Sequence, residues 1–164
     1  MLHIRSSTNQ ARGETIVGRI EESSPNSEAA RSLIDELSNT LNDITGDDGR
    51  SSYSREAFNP TTDAFLIYWE GSEAMACGSL RRVDNHTCEL KRMYSRSRGY
   101  GKTVLSALES KACSLGYHFI ILSTRKVNAG AVRFYLKNGY REISPYGKYR
   151  YSDASVCLGK QLST

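Results

Sequence analysis

The chain has 164 residues, of which 38% are hydrophobic and 24% charged. This composition is typical of one ordinary globular domain and excludes a disordered or collagen-like chain. The charge is divided unevenly: residues 1–80 hold 6 Lys/Arg and 13 Asp/Glu, a net of −7, whereas residues 81–164 hold 16 and 5, a net of +11. Because clustered cations raise the local potential even when the total is a modest +4, the second half is predicted to hold a polyanionic ligand.

Membrane, export and metal-binding signals are missing from the sequence. No apolar run approaches the roughly 20 residues of a membrane-spanning helix, and the first 15 residues lack the apolar stretch of a signal peptide. We therefore expect a cytoplasmic protein with no membrane partner. The cysteines Cys77, Cys88, Cys113 and Cys157 form no CxxC pair and lie in runs typical of buried elements, which predicts reduced, packed thiols. The histidines are equally scattered, so we expect no metal.

The first part of the chain predicts a strand followed by a helix. Residues 1–15 are polar and aperiodic, and we expect an N-terminal extension or edge strand there, with residues 16–164 forming a single domain. Alternation over Thr15–Glu21 predicts a strand, and apolar residues at helical spacing over 30–41 predict an amphipathic helix. Residues 45–61 are rich in Gly, Ser and Asp and predict a long mobile loop with one helical turn at 55–58.

The remainder predicts a mixed α/β layer structure. Three apolar runs over 64–70, 74–83 and 86–94, joined by short turns, predict an antiparallel meander. The further predicted elements are a helix from Gly101 to Gly116, a strand at Phe119–Ser123, a helix at Ala129–Lys137, and strands near Tyr140–Ile143 and Ala154–Leu158.

The most informative segment is RSRGYGKT, residues 96–103, between a predicted strand and a predicted helix. Glycines let the backbone approach a ligand closely, and the free N–H groups of a helix start suit phosphate oxygens. Arg96, Arg98 and Lys102 add positive charge at the same point. We therefore predict a pyrophosphate-bearing ligand here rather than a turn that only caps the helix.

Two common phosphate motifs do not match this loop. A P-loop, G-x-x-x-x-G-K-S/T, would need glycine where Arg96 stands, and a Rossmann fingerprint, G-x-G-x-x-G, would need glycine where Val104 stands. The pattern that fits is Gln/Arg-x-x-Gly-x-Gly/Ala, carried by Arg96, Gly99 and Gly101.

Two longer stretches carry a family resemblance. CELKRMYSRSRGYGKTVLSALESKACSLGY, residues 88–117, resembles the coenzyme-A-binding motif of the GNAT superfamily of N-acetyltransferases, and VNAGAVRFYLKNGYREI, residues 127–143, resembles its second conserved segment. The likeness runs from about Ala64 to Leu158 and includes the CGSLR and YGKYRYSDASVCLGK runs of a small bacterial-type branch. It implies an α/β (α+β) fold with a mixed, mostly antiparallel central sheet flanked by helices.

The resemblance also implies the reaction and the cofactor contacts. In such enzymes an acetyl group passes from acetyl-CoA to an amine by direct attack in a ternary complex, with the thioester carbonyl polarised by a backbone N–H, an oxyanion-type stabilisation. The residues that it assigns to the pyrophosphate loop are Arg96, Arg98, Gly99, Tyr100, Gly101 and Lys102, with the Thr103 hydroxyl in reach, and those that it assigns to pairing with the pantetheine arm are Met93 and Tyr94.

Three side chains complete the implied site. Tyr135 aligns with the tyrosine that protonates the leaving thiolate, although its apolar neighbours are also typical of a core aromatic. Glu89 is the candidate general base, and the alternative is a strand glutamate paired with Lys91 or Arg81. Asn128 is expected to cap the following helix and to contact the cofactor.

The acceptor remains open at this stage. A small-molecule amine is the leading expectation, with a protein lysine or N-terminus, or a non-catalytic acyl-CoA-binding module, as alternatives. Residues 123–125 depart from the branch pattern, and Arg125 and Lys126 either recognise an acidic substrate or are solvated, whereas the acidic first half favours a cationic amine. Nucleic acid is not an expected partner, because the basic residues lack a stacking aromatic platform. The chain is expected to be a monomer or a homodimer.

Overall fold

A computed structural model of the chain describes residues 5–9, 14–50 and 57–163. Over these residues the chain forms eight strands, three α-helices and a 3-10 helix. The strands are β1 (Arg5–Asn9), β2 (Glu14–Glu22), β3 (Ala64–Glu70), β4 (Glu73–Arg82), β5 (Thr87–Ser95), β6 (Phe119–Arg125), β7 (Arg141–Glu142) and β8 (Ser155–Gln161). The helices are α1 (Glu28–Thr45), α2 (Tyr100–Ser114), α3 (Ala129–Lys137) and the 3-10 helix at Gly147–Tyr151.

All the strands belong to one sheet, in the order β1-β2-β3-β4-β5-β6-β8-β7. Every neighbouring pair is antiparallel except β5 and β6, which run parallel and pair only over Thr87–Glu89 and Phe119–Ile121. Past these residues, β5 continues beside β4 and β6 continues beside β8, so a wedge opens between the two parallel strands. The predicted mixed, mostly antiparallel sheet flanked by helices is confirmed.

The helices cover the two faces of the sheet. Ser27 caps α1 by accepting a hydrogen bond from the Ala30 N–H at 3.2 Å, and the apolar face of this helix is buried against Phe65 and Ile67 of β3. The alternate β3 residue Leu66 is buried on the opposite face, in the larger core that α2 and Tyr135 of α3 complete. Each fully buried aliphatic side chain in these cores stabilises the fold by roughly 1.5–3 kcal/mol.

A β-bulge interrupts the pairing of β4 with β5 next to the wedge. Gly78 has no partner in the register, and Arg92 on β5 adopts a left-handed φ of 54°. A Cβ atom on Gly78 would overlap Met93 Sδ and lie 2.6 Å from Leu108 Cδ1. A side chain at this position would therefore displace Met93 and Leu108. The bulge itself redirects the end of β5 toward the wedge.

Several element boundaries differ from the predicted ones. The helix α1 continues to Thr45 and ends at Gly46, whose φ of 76° suits a glycine C-cap. The strand predicted at Tyr140–Ile143 is only Arg141–Glu142, and the last strand extends to Gln161. The predicted helical turn at 55–58 falls mainly outside the described residues.

The cysteines differ from prediction at one position. Cys77, Cys88 and Cys157 are buried free thiols, as expected, but Cys113 is exposed on α2, so the predicted burial is wrong there. Its position within an apolar run misled the prediction, because a helix presents one face of such a run to solvent. Among the described helices, none combines the length and the apolarity needed to cross a membrane.

Candidate active site

The wedge between β5 and β6 lies at the centre of one continuous cleft. A loop cavity of about 690 Å³ lies beside the N-terminus of α2, a wedge cavity of about 150 Å³ lies between the parallel strands, and an outer cavity of about 320 Å³ lies toward α1 and the 3-10 helix. The loop and wedge cavities share Met93, Ala131 and Tyr135. The wedge and outer cavities share Leu41, Gly49, Ser123, Thr124 and Tyr149.

The loop cavity is a cationic site at a helix N-terminus. Gly99 caps α2 with a φ of 94°, which leaves the first helical N–H groups open toward the cavity. Arg98 and Lys102, which the sequence indicated, line this cavity together with Arg133 and Lys137 of α3. The described lining contains no carboxylate. Arg133 and Lys137 were not among the predicted site residues, although their spacing of four residues on one helix face was a usable signal.

Three of the predicted cofactor-loop side chains point elsewhere. Arg96 Nε donates to Glu36 Oε2 of α1 at 2.8 Å. The Tyr100 ring stacks on an aromatic ring of β3 with a centroid distance of 4.9 Å, and Thr103 Oγ1 donates to the Gly99 carbonyl at 3.4 Å. None of these three residues is part of the described lining of the loop cavity.

The end of β5 forms the floor between the loop and wedge cavities. Met93 lines both cavities and Tyr94 lines the loop cavity, directly after the bulge. Asn128 lines the wedge cavity and caps α3 by accepting a hydrogen bond from the Ala131 N–H at 3.4 Å. Asn128 therefore caps α3 as predicted and lies at the edge of the cleft. Its contact with the cofactor stays a prediction.

Tyr135 lies where the loop and wedge cavities meet. Its ring packs edge-to-face against Phe134 and Tyr140, with centroid distances of 5.1 and 5.5 Å, and the residue is 7% exposed. Burial raises the pKa of its hydroxyl well above the ordinary value, so the group carries its proton at neutral pH. A protonated phenol in this position can donate a proton to an atom in the cleft.

Glu89 is not part of the described lining of the cleft, but Lys91 and Tyr149 link it to that lining. Its Oε2 accepts a hydrogen bond from Tyr146 Oη at 2.5 Å and lies 3.3 Å from Lys91 Nζ. Lys91 lines the wedge cavity and donates to Tyr149 Oη at 3.2 Å, and Tyr149 lines both the wedge and outer cavities. Burial lowers the pKa of Lys91, and the Glu89 carboxylate opposes that shift.

The segment after α1 closes one side of the outer cavity. Asp47 Oδ1 accepts the Gly49 N–H at 2.9 Å, and Asp47 Oδ2 lies 3.2 Å from Arg125 Nη2 at the end of β6. From β5, Arg92 Nη2 donates to the Gly49 carbonyl at 2.8 Å. The Gly49 and Arg125 hydrogen bonds lower the pKa of Asp47, whose partial burial opposes them.

The acidic residues of the first half mostly lie outside the cleft. Glu36 pairs with Arg96, and Asp35 and Asp48 pair with Arg50. Among the residues that the structure describes in the outer and wedge cavities, Asp47 is the sole acid, whereas Lys91, Arg92, Arg125 and Lys148 are basic. The expected acidic acceptor side is therefore not present in the described lining. No cluster of metal-ligating side chains occurs within the described ranges.

Comparison with known proteins agrees with this arrangement. A family model for the acetyltransferase (GNAT) family matches residues 30–140, more than half of the chain. An IAA acetyltransferase of Azospirillum brasilense is 24% identical over 148 residues, which are 87% of this chain and 97% of that protein.

Solved structures show the same fold. A Klebsiella pneumoniae protein assigned to the acyl-CoA N-acyltransferases superposes with a TM-score of 0.76 at 24% identity, covering 89% of this chain and 98% of that one. The PaiA N-acetyltransferase of Thermoplasma acidophilum, solved in complex with coenzyme A, superposes with a TM-score of 0.66 at 20% identity, covering 87% and 99%.

The splayed parallel strand pair has a cationic helix N-terminus on one side and the outer cavity on the other, so a polyanionic ligand and a second ligand can be held at the same wedge. The chain belongs to the GNAT acetyltransferase family. It is an acyltransferase of that family, as the sequence motifs indicated.

Proposed function

We propose that this enzyme transfers the acetyl group of acetyl-CoA to the primary amine of a small molecule, by direct attack in a ternary complex. The observation that carries the proposal is the position of Tyr135, a protonated phenol where the cationic loop cavity meets the wedge cavity. The cleft continues from there to the outer cavity, so two ligands can meet at the wedge without one displacing the other.

The loop cavity fits a coenzyme A molecule in charge and in backbone geometry. Arg98, Lys102, Arg133 and Lys137 supply four positive charges for phosphate groups, and the open N–H groups of α2 supply directional hydrogen bonds. On its β6 side the end of β5 has no strand partner, and at Met93 and Tyr94 this edge offers backbone groups to the amides of a pantetheine arm. We assign these residues to acetyl-CoA.

The acetyl thioester supplies an acyl carbon that an amine can attack. In the proposed step the C–N bond forms, the C–S bond breaks, and Tyr135 gives its proton to the departing thiolate. A backbone N–H at the end of β5 stabilises the oxyanion that develops on the carbonyl. Glu89 takes the surplus amine proton, and Lys91 and Tyr149 connect it to the cleft by exchangeable protons.

The size of the outer cavity favours a small acceptor. A volume of about 320 Å³ suits a molecule of modest size, and the segment at 47–49 bounds it on the α1 side. A peptide acceptor would instead need an open groove continuing past the wedge. We therefore favour a small-molecule amine over a protein lysine or N-terminus.

A two-part experiment tests the proposal. Isothermal titration is expected to show acetyl-CoA binding, and a panel of amines assayed by release of the free CoA thiol is expected to yield at least one acceptor. With that acceptor, Tyr135→Phe should lower kcat roughly 10²-fold with little change in the KM for acetyl-CoA. The matched control is Tyr140→Phe, since Tyr140 packs against Tyr135 but is not part of the described cleft lining.

Two results would contradict the proposal. Acetyl-CoA that fails to bind at high micromolar concentration would remove its basis. A Tyr135→Phe variant that turns over at the wild-type rate would remove the proton-donor role. A protein that binds acetyl-CoA but acetylates no amine would instead be a non-catalytic acyl-CoA-binding module.

A further inference from the structure

The outer cavity has a charge pattern that defines the acceptor more narrowly. We propose that the acceptor carries a carboxylate as well as its amine, and that Arg125 and Lys148 bind this carboxylate in the outer cavity. The inference rests on the proposed N-acetyltransferase function and adds the class of acceptor to it, namely small amino acids and other amino-carboxylic acids.

The first observation is the charge balance of the lining. The outer cavity has two cations, Arg125 and Lys148, and a single acid, Asp47, among its described lining residues. Both oxygens of Asp47 already have partners, the Gly49 N–H and Arg125. The cavity therefore keeps one excess positive charge, which is the complement of a single carboxylate.

The second observation is that both cations can still donate hydrogen bonds. Arg125 uses Nη2 in its contact with Asp47, and a guanidinium has five N–H donors in a planar fork suited to a carboxylate. No ion pair to Lys148 is found in the described part of the chain, and its Nζ lies 5.5 Å from the centroid of the Tyr149 ring. This cation–π contact holds the ammonium beside the cavity that Tyr149 also lines.

The third observation is a buried hydroxyl without a partner. Ser123 Oγ is buried and has no hydrogen-bond partner among the described residues, although Ser123 lines both the outer and wedge cavities. A buried polar group left unpaired costs about 1–3 kcal/mol, so a ligand oxygen at this position would recover that cost. Three further residues with hydroxyl side chains, Thr124, Ser152 and Ser155, also line the cavity.

These groups lie on the side of the cleft away from the loop cavity. Ser123 and Thr124 continue into the wedge cavity, where Tyr135 stands. A carboxylate held by Arg125 and Lys148 would therefore leave the rest of the molecule, with its amine, directed along the cleft toward the wedge. The net charge of +1 in the described lining favours a carboxylate over a doubly charged phosphate.

The test compares acceptors that differ only at the carboxylate. The assay measures release of the free CoA thiol with several α-, β- and ω-amino-carboxylic acids. Each acid is compared with its own carboxamide and with the aminoalkyl phosphate of similar length. The acid is expected to exceed its amide about tenfold or more in kcat/KM, mainly through KM. Arg125→Gln and Lys148→Gln should each remove most of that preference, so that the ratio of kcat/KM for the acid to that for its amide falls toward one. The matched control is Lys126→Gln, because Lys126 is an exposed neighbour that is not part of the described cavity lining.

A binding measurement keeps this proposal separate from the catalytic one. N-acetylglycine and N-acetylglycinamide, models of an acid product and an amide product, are titrated into the CoA-loaded protein. The carboxylate is expected to bind more tightly, and Arg125→Gln should abolish the difference. Amides or phosphates that equal or exceed the acids, or an acid preference unchanged in both variants, would overturn the inference. If acetyl-CoA binds but no amine is acetylated, the proposed function fails, whereas the two titrations still decide whether the cavity binds a carboxylate.

Discussion

The hydroxyl of Tyr146 donates a hydrogen bond to Glu89 Oε2 at 2.5 Å, from a segment 57 residues further along the chain. The same oxygen lies 3.3 Å from Lys91 Nζ. This carboxylate is therefore held between two groups on the α1 side of the sheet, with Lys91 and Tyr149 connecting it to the cleft. Measurements of activity and of stability distinguish a catalytic role of Glu89 from a role that only neutralises the charge of Lys91.

Replacing Glu89 by Gln tests that separation. A glutamine can keep the Tyr146 hydrogen bond but can neither accept a proton nor neutralise Lys91. We expect kcat to fall at least about tenfold with the KM for acetyl-CoA unchanged. Unfolding by urea should become about 1–3 kcal/mol easier, because the largely buried Lys91 ammonium loses its carboxylate.

The comparison with Tyr146→Phe gives the discriminating control. That variant keeps the carboxylate, so most of the activity should remain although the position of Glu89 is less fixed. A second control is Glu142→Gln, since Glu142 of β7 is exposed and its replacement should be neutral. Wild-type kcat in Glu89→Gln, with only the stability changed, would show that Glu89 has a structural role.

The charges around the loop cavity give a second prediction. Arg133 lines the cavity, whereas Arg96 is paired with Glu36 of α1. Arg133→Gln should raise the KM for acetyl-CoA about two- to fivefold at low salt, the size of one partly exposed charge contact, and less at high salt. Arg96→Gln should leave this KM within about twofold of wild type. A larger increase in this KM for Arg96→Gln than for Arg133→Gln would assign the phosphate contact to Arg96, as the loop motif alone suggested.

Gly78 gives a prediction about the bulge. In Gly78→Ala the added methyl group overlaps Met93 Sδ and crowds Leu108 Cδ1, so the free energy of unfolding should fall by about 1–3 kcal/mol. Urea denaturation followed by circular dichroism measures the change. The control is Gly130→Ala in α3, where a Cβ would meet nothing within 4 Å and stability should rise by up to about 1 kcal/mol. Equal stabilities of the two variants would contradict the close packing at the bulge.

The buried Tyr140 predicts how stability changes at alkaline pH. Burial raises the pKa of its hydroxyl well above the ordinary value of about 10. The folded chain thus keeps a proton that the unfolded chain loses. The stability that the protonated Tyr140 hydroxyl contributes to the folded state is fully present below about pH 10. It is lost as the pH rises from there toward the folded-state pKa, by up to about 1.4 kcal/mol per pH unit.

Urea midpoints measured between about pH 8 and pH 11 check this sign. Tyr140→Phe should lose stability less steeply than wild type above about pH 10, and at neutral pH it should be no less stable, since the hydroxyl has no partner within the described ranges. Tyr151→Phe, at a side chain that is 95% exposed, should follow the wild-type curve. A steeper alkaline loss in Tyr140→Phe would contradict the assignment.

Local sequence signals predicted what depends on local physics. Helical spacing located α1, α2 and α3, and the glycines at 99 and 101 with neighbouring cations indicated the helix N-terminus that forms the loop cavity. The pairing of Arg96 with Glu36 was not predictable in this way, because the partners are 60 residues apart and meet only when α1 packs on the sheet.

The acceptor side illustrates the same limit. Its cavity combines Asp47 after α1, Arg125 at the end of β6, and Lys148 in a 3-10 helix that the sequence pattern did not indicate. The charge of each half of the chain does not predict the charge of this cavity, since Asp47 is the sole acid of the first half in its described lining and Glu22, Asp35, Glu36 and Asp48 form ion pairs elsewhere. The sequence left open whether Arg125 recognises a substrate or is solvated, and its position beside the cleft follows from the pairing of β6 with β8.

The short pairing of β5 with β6 affects the whole sheet. The antiparallel unit β1–β5 and the antiparallel unit of β6, β8 and β7 meet in a strand ladder of three residue pairs, Thr87–Glu89 with Phe119–Ile121. A ligand seated in the wedge touches both units and so adds to the few contacts that hold their edges together. By linkage, substitutions that loosen the C-terminal unit weaken ligand affinity without touching the ligand, and amide-hydrogen exchange of β6 and β8 slows when the cleft is filled.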